Sequence, residues 1–418
     1  MTSPLPPRFP SDEHSSPTEV THRLLALRDE LEPYVIEQRR WFHRHPEVSL
    51  HETGTTEHIC EQLDLLGIPW ERPCETGVVA TLRGTAADAY DEDGSPRRRL
   101  LMRADIDALP VRELTELPFA SCNDGVSHAC GHDCHAAMLL GALKGLSTMT
   151  DELHGEVRAV FQPAEEVSEG ARAMVRAGVT DGVDGCFGIH IWSEVPSGKV
   201  SCEPGPRMAN TDWWRIDVTG KTCHGALPHR GSDAIVAGAA IVEELQTIVS
   251  RSVSPFEPAV ITVGEFHGGS ARNVVAGTAW LEGTVRTFDD ETHARIPLLM
   301  QRVAEETAMA LGCEAHVTQY DLGSWAVVND AHASKLAWRA ARKVLGPDSI
   351  GRYRGSMPGE DFSEYLFKAP GVFVFLGCSD PAAGSTWPQH SPHYNPDEGV
   401  LVNGTLLGAQ YAVDFLEE

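Results

Sequence analysis

Apolar runs of strand length alternate with helix-length periodic segments along most of this chain, and the alternation is interrupted once, in the middle. Val78–Leu82, Arg99–Arg103, Gly155–Phe161 and Gly185–Ile191 read as strands, while Glu19–Arg44, Thr55–Leu66, Ala136–Ser147 and Ala171–Ala177 read as helices. Such alternation predicts a mixed, mostly parallel sheet covered by helices on both faces. At Pro204-Gly205-Pro206 the pattern changes. Trp213–Thr219, Ala259–Phe266, Thr278–Arg286 and Glu314–Tyr320 read as strands, with helices over Asp233–Ser250 and Glu291–Leu311. That βαββαβ order is the ferredoxin-like arrangement. After Asp321 the first pattern resumes, with a helix over Ala331–Leu345 and a strand over Gly371–Leu376. The expected fold is α/β: a discontinuous sheet domain over 19–205 and 321–418, interrupted by a smaller ferredoxin-like α+β domain over 206–320. Two domains also suit 418 residues, more than one hydrophobic core usually supports. Residues 1–18, rich in Pro and Ser, read as a disordered tail without the apolar stretch of a signal peptide.

Charge narrows the function. Lys and Arg number 34 against 60 Asp and Glu, a formal net charge of -26. Such a surface repels phosphate backbones, so nucleic acid is not an expected partner. No run approaches the roughly 18 apolar residues that span a bilayer, so no membrane partner is expected either. The 10 cysteines are scattered through the chain, which predicts reduced and mostly buried thiols in a cytoplasmic protein, Cys130 excepted.

The chemistry-bearing residues fall in loops. His128-Ala129-Cys130-Gly131-His132-Asp133-Cys134-His135 packs thiol, imidazole and carboxylate into one short segment before a helix. Cys130 and His132 are too close in sequence for one helix face, but a bent loop can aim both at one point, and divalent transition metals accept thiolate and imidazole together. Read by itself, the pair serves a structural site as well as a catalytic one. Glu165 and Glu166 follow a strand end, where one carboxylate can ligate metal and the other take a proton from metal-bound water, or both can simply be solvated. His190 lies near another strand end. Asp105 and Asp107 follow a third and suit the orientation of a ligand histidine or a metal-bound water. His390-Ser391-Pro392-His393 offers further imidazole near the C-terminus. Cys130, His132, Glu166, His190 and His390 together make a five-donor set, which suits two metals bridged by the thiolate better than one closed tetrahedral site.

Taken in order, Trp41-Phe42-His43-Arg44-His45-Pro46-Glu47, Arg103-Ala104-Asp105-Ile106-Asp107-Ala108-Leu109-Pro110, His128–Asp133, Phe161-Gln162-Pro163-Ala164-Glu165-Glu166, Gly188-Ile189-His190 and Gly359-Glu360-Asp361-Phe362-Ser363 resemble the motif series of one family. It is the dinuclear metallopeptidase and amidohydrolase family of hippurate hydrolases, N-acyl-amino-acid aminoacylases and auxin-conjugate hydrolases. The resemblance runs from about residue 20 to the C-terminus. It implies a metal-dependent amidohydrolase that cleaves N-acyl amino acids to a carboxylate and a free amino acid. It further implies Cys130, His132, Glu166, His190 and His390 as ligands of two divalent ions (Zn, Mn, Co or Ni), Glu165 as general base, and Asp107 beside them. His135 then has a supporting role, and His393 a structural one.

In the inserted domain the resemblance assigns a lid and dimerisation role. His224 matches a residue supplied across a dimer interface to polarise the scissile carbonyl. Asn273 and Arg286 match substrate-binding positions, Arg286 pairing with the substrate carboxylate. A homodimer or higher homo-oligomer follows from the same resemblance. The chain departs from the family pattern at Gly220-Lys221-Thr222-Cys223-His224, at Asn273-Val274-Val275-Ala276-Gly277 and at Met357-Pro358-Gly359, all sites that shape lid and pocket rather than ligands. The rival functions are a dipeptidase or carboxypeptidase, an N-acetyl-diaminopimelate-type deacetylase, a non-catalytic metal-binding homologue and a structural zinc protein.

Overall fold

The computed structural model describes residues 16–418, so the tail expected over 1–18 lies outside the described residues except for its last three. The chain divides into two compact units. Among the described residues, one comprises 16–207, 328–354 and 361–418, and the other 208–327 with 355–360.

The larger unit is built on a seven-stranded sheet. In spatial order its strands are Trp70–Glu71, Val78–Arg83, Glu156–Gln162, Arg99–Asp105, Gly185–Pro196, Gly371–Ser379 and Val200–Ser201. The four central strands from Glu156–Gln162 to Gly371–Ser379 run parallel. The outer strands on both sides pair antiparallel, so the sheet is mixed and parallel at its centre, as the sequence pattern predicts. Burial on both faces explains why Leu100, Leu101 and Met102, or Val372 to Leu376, read as unbroken apolar runs. Leu100, Met102 and Ala104 join one core with the helices His132–Ser147 and Leu401–Glu417. Arg103, on the alternate face, lies 6.0 Å from the Phe362 ring.

Local differences from the sequence pattern have physical causes. The helix expected over Glu19–Arg44 is two, Glu19–Ala26 and Arg28–Arg44, the first capped by Thr18. The helix expected from Ala136 begins at His132, because Gly131 takes a left-handed conformation that turns the chain into the helix. Its first residues are polar and carry no apolar period. The strand carrying His190 runs on to Pro196.

The smaller unit has a four-stranded antiparallel sheet in the order Ala259–Gly268, Thr278–Thr287, Asp212–Thr219, Glu314–Leu322. The helices Ala234–Thr247 and Asp290–Ala310 share a core with it through Ile216, Ile241, Leu281 and Ile296. Side chains of Asp233 and Asp289 accept the first free N–H groups of these helices. The βαββαβ order is as the sequence pattern predicts.

Candidate metal centre and active site

Sheets of this kind form sites beyond the carboxyl ends of their parallel strands. There the larger unit collects Cys130, His132, Glu166, His190 and His390. Cys130, His132 and His190 place one donor atom each within 4.8 Å of one another, and so do Cys130, Glu166 and His390. Cys130 belongs to both sets. Its Sγ is 3.6 Å from His190 Nε2, and His390 Nε2 is 3.6 Å from Glu166 Oε1. His132, Glu165 and Glu166 form a third such group, with His132 Nε2 3.9 Å from each carboxylate.

The backbone aims these donors. Gly131 has φ 97°, and a Cβ there would lie 2.6 Å from Ile191 Cδ1, so only glycine allows Cys130 and His132 to converge. His390 is itself left-handed (φ 64°), with its N–H donated to the Ala129 carbonyl at 2.7 Å. That bond ties the C-terminal loop to the Cys130 loop.

Hydrogen bonds decide which imidazole nitrogens remain open. His132 Nδ1–H donates to the Asp107 carbonyl at 2.9 Å, and His190 Nδ1–H to the Ile191 carbonyl at 2.6 Å. A carbonyl only accepts, so in both rings Nδ1 is the nitrogen spent on the backbone and Nε2 is the one left for another partner. His132 Nε2 and Glu166 Oε1 are both buried without a hydrogen bond. Burial disfavours a charge on His132, yet Asp105, Asp107 and Glu166 outweigh it and lift its pKa to about 10. Burial raises Glu166 to about 7. Orphaned inward-facing donors in an excess of negative charge are what divalent cations would satisfy, and thiolate with imidazole and carboxylate suits borderline transition metals. The residues fit such a pair of ions.

The neighbouring candidates separate cleanly. His135 spends both nitrogens on protein: Nε2 accepts the Ile191 N–H at 3.0 Å, and Nδ1 faces Asp105 at 2.6 Å. His128 and Cys134 are buried, and burial pushes the imidazole down to about 4 and the thiol up. His393 donates to the Leu114 carbonyl at 3.0 Å, and its ring lies tilted 4.8 Å from that of Trp387. Asp107 takes bonds from three directions, Ser49 Oγ at 2.7 Å, His132 Nδ1 at 3.2 Å and the Glu166 N–H at 3.1 Å. Asp105 serves Arg103 and His135 instead, so only one carboxylate of the pair orients a ligand histidine.

Two supports escaped the sequence reading. Arg39, fully buried, donates to Asp133 at 2.9 Å and to Glu398 at 3.1 Å, with His43 2.8 Å from the same Asp133 oxygen. Burial disfavours the charge on Asp133, but Arg39 and His43 hold it far below the usual carboxylate range. This cluster pins the residue that directly follows His132. Replacing Arg39 by Leu leaves Asp133 charged and under-compensated in the interior, and should cost about 3–5 kcal/mol of unfolding free energy in a denaturant titration. A loss under about 1 kcal/mol, the worth of an exposed pair, would show that the cluster is not buried in solution. The other support is Glu52, which caps no helix despite standing at the start of Thr53–Leu66. The Arg39 and His43 spacing within one helix was visible in sequence, but their partner Asp133 was not.

His224, Asn273 and Arg286 lie in the smaller unit. His224 pairs with Val274 across two short strands, and the Gly225 N–H donates to the Asn273 carbonyl at 2.8 Å, so His224 and Asn273 are neighbours and both exposed. Arg286 stands opposite Val260 in the sheet, half-buried, with its Nη1 donating to the Val285 carbonyl at 2.9 Å. Burial lowers its pKa somewhat.

Residues 101–414 match the model of peptidase family M20/M25/M40. The chain is 38% identical over 388 residues to the N-acetylcysteine deacetylase of Bacillus subtilis, covering 92% of this chain and 97% of that protein. It is 44% identical over 305 residues to the N-acyl-L-amino acid amidohydrolase of Geobacillus stearothermophilus, covering 72% and 80%. Among solved structures it resembles a dinuclear metal binding peptidase of the M20 family from Bacillus subtilis, with a TM-score of 0.80 and 34% identity over 93% of this chain and 99% of that one. The chain belongs to peptidase family M20/M25/M40 and is a metal-dependent amide hydrolase.

Proposed function

We propose that the protein hydrolyses N-acyl amino acids to a carboxylate and a free amino acid at a two-metal centre held by Cys130, His132, Glu166, His190 and His390. The observation that carries this reading is the sharing of Cys130 between two donor sets, with Glu165 beside both His132 and Glu166. The names of the relatives, a deacetylase of N-acetylcysteine and an amidohydrolase of N-acyl-L-amino acids, support the substrate class.

Two divalent ions, when bound, supply Lewis acidity that polarises the amide carbonyl and acidifies a water. The side chains do the rest. Glu165, 8% exposed, takes the proton from the attacking water and delivers it to the leaving amine. Asp107 holds His132 in the tautomer that keeps Nε2 open and fixes the backbone of Glu166. In the same reading His224 stabilises the developing oxyanion and Asn273 and Arg286 hold the substrate, Arg286 through its carboxylate. The catalytic domain is then 19–205 with 321–418, and 206–320 acts as lid and dimerisation domain of a homodimer. A cytoplasmic location belongs to the same reading and is consistent with cysteines that form no disulfide among the described residues.

The test is to strip the metal, reload the apo-protein separately with zinc, manganese, cobalt or nickel, and assay N-acyl amino acids beside dipeptides. Chelation should abolish turnover, and a reloaded enzyme should prefer the acyl amino acids. Preference for dipeptides would make it a peptidase. No hydrolysis with any metal would leave a non-catalytic homologue, and a single tightly held ion would indicate a structural site.

A further inference from the structure

We infer that Glu52 is a positioning residue whose carboxylate oxygen, by accepting the Ala164 N–H, holds the turn that aims Glu165 and Glu166 into the metal centre. The inference rests on the proposed roles of those two residues.

The strand Glu156–Gln162 ends at Pro163, and the next residue, Ala164, is left-handed at φ 52°. A residue with a Cβ seldom adopts that conformation, and it persists only where its surroundings impose it. The turn that follows is tight. Ser168, also left-handed at φ 55°, donates its N–H to the Glu165 carbonyl at 2.7 Å, and the Gly170 N–H donates to the Ala164 carbonyl at 3.1 Å. A Cβ at Gly170 would lie 1.6 Å from the Pro163 carbonyl oxygen. What remains is to hold the amide side of the turn, and two buried carboxylates do so. Glu52 Oε1 accepts the Ala164 N–H at 2.8 Å, and Asp107 Oδ2 accepts the Glu166 N–H at 3.1 Å. The residue between these clamped amides is Glu165.

Glu52 is itself rigidly placed. It is fully buried, and its Oε1 also accepts the Leu50 N–H at 3.0 Å. The same loop sends Ser49 Oγ to Asp107 Oδ2 at 2.7 Å, so one short segment supports both clamps. Oε2 makes no hydrogen bond to the turn. Only one oxygen therefore does positional work, and the negative charge is not required for it. Glutamine keeps that acceptor and the reach of the side chain. Aspartate keeps the charge but is one methylene too short.

Glu52→Gln and Glu52→Asp separate reach from charge. Cobalt(II) titrated into each apo-protein reads the aim of Glu166 without any substrate, and kcat against KM on the reloaded enzymes reads the aim of Glu165. The aspartate variant should lose roughly 10–100-fold in cobalt affinity and in kcat with KM little changed, while the glutamine variant stays within about threefold on both, the range set by lost outer-shell partners. Equal impairment of both variants would make the charge essential and overturn the clamp, as would a fully active aspartate variant. Should no N-acyl amino acid be hydrolysed at all, the substrate reading fails, and the cobalt titrations still decide whether Glu52 sets the turn.

Discussion

Replacing Glu165 with Gln should lower kcat by roughly 10²–10⁴-fold, the contribution of a positioned general base, and leave two metal ions per chain. Gln keeps the size and one acceptor oxygen but cannot accept a proton from water at neutral pH. Glu165 is 8% exposed and sits 3.9 Å from His132 Nε2, yet it is in neither of the two donor sets that share Cys130. Its loss should therefore spare the metals and KM, and the effect should appear in kcat and kcat/KM together, as for a group acting only in the transition state. Steady-state kinetics and metal analysis on the same preparation decide it. Near-normal turnover would remove Glu165 as the base. Loss of an ion along with activity would make it a ligand instead.

Much of this centre is legible in the sequence, and the reason lies in the kinds of residue involved. A thiol, imidazoles and adjacent carboxylates just past strand ends have few other uses together, so Cys130, His132, Glu166, His190 and His390 stood out one loop at a time. The structure gathers them around Cys130. What stayed hidden were groups whose work depends on a distant partner. Glu52 reads as an ordinary acidic residue opening a helix, and nothing local shows that its partner is Ala164, 112 positions away. Arg39 looks like one more charge on an amphipathic helix, although its partner Asp133 makes it a buried cation. Strand direction was hidden for the same reason: the apolar run Val78–Leu82 carries no mark that it pairs antiparallel with Glu156–Gln162. Helix limits followed the apolar period and so missed the polar first turn at His132, which Gly131 makes possible.

Cys130→Ser should lower the affinity for both ions by at least about 100-fold, the upper end of what losing an outer-shell partner costs, because here the ligand itself is lost. The argument turns on geometry and softness together. Cys130 is the residue common to the two donor sets, and a thiolate is soft, readily deprotonated next to a metal and large enough to reach both sides. A serine hydroxyl on the same Cβ is a harder, shorter and far weaker acid, so it offers neither set an equivalent anion. The fold should survive the exchange. Cys130 is partly exposed in a loop, unlike Cys134, which is sealed in the core four residues on. The metal-free variant should therefore unfold within about 0.5 kcal/mol of the metal-free parent, as for substitutions outside the core. Titration of zinc into both apo-proteins, read by competition with a chelating dye, separates the possibilities. Parallel weakening of both binding steps means that the thiolate bridges. Weakening of one step alone would assign Cys130 to a single ion and leave the second to Glu166, His390 and solvent.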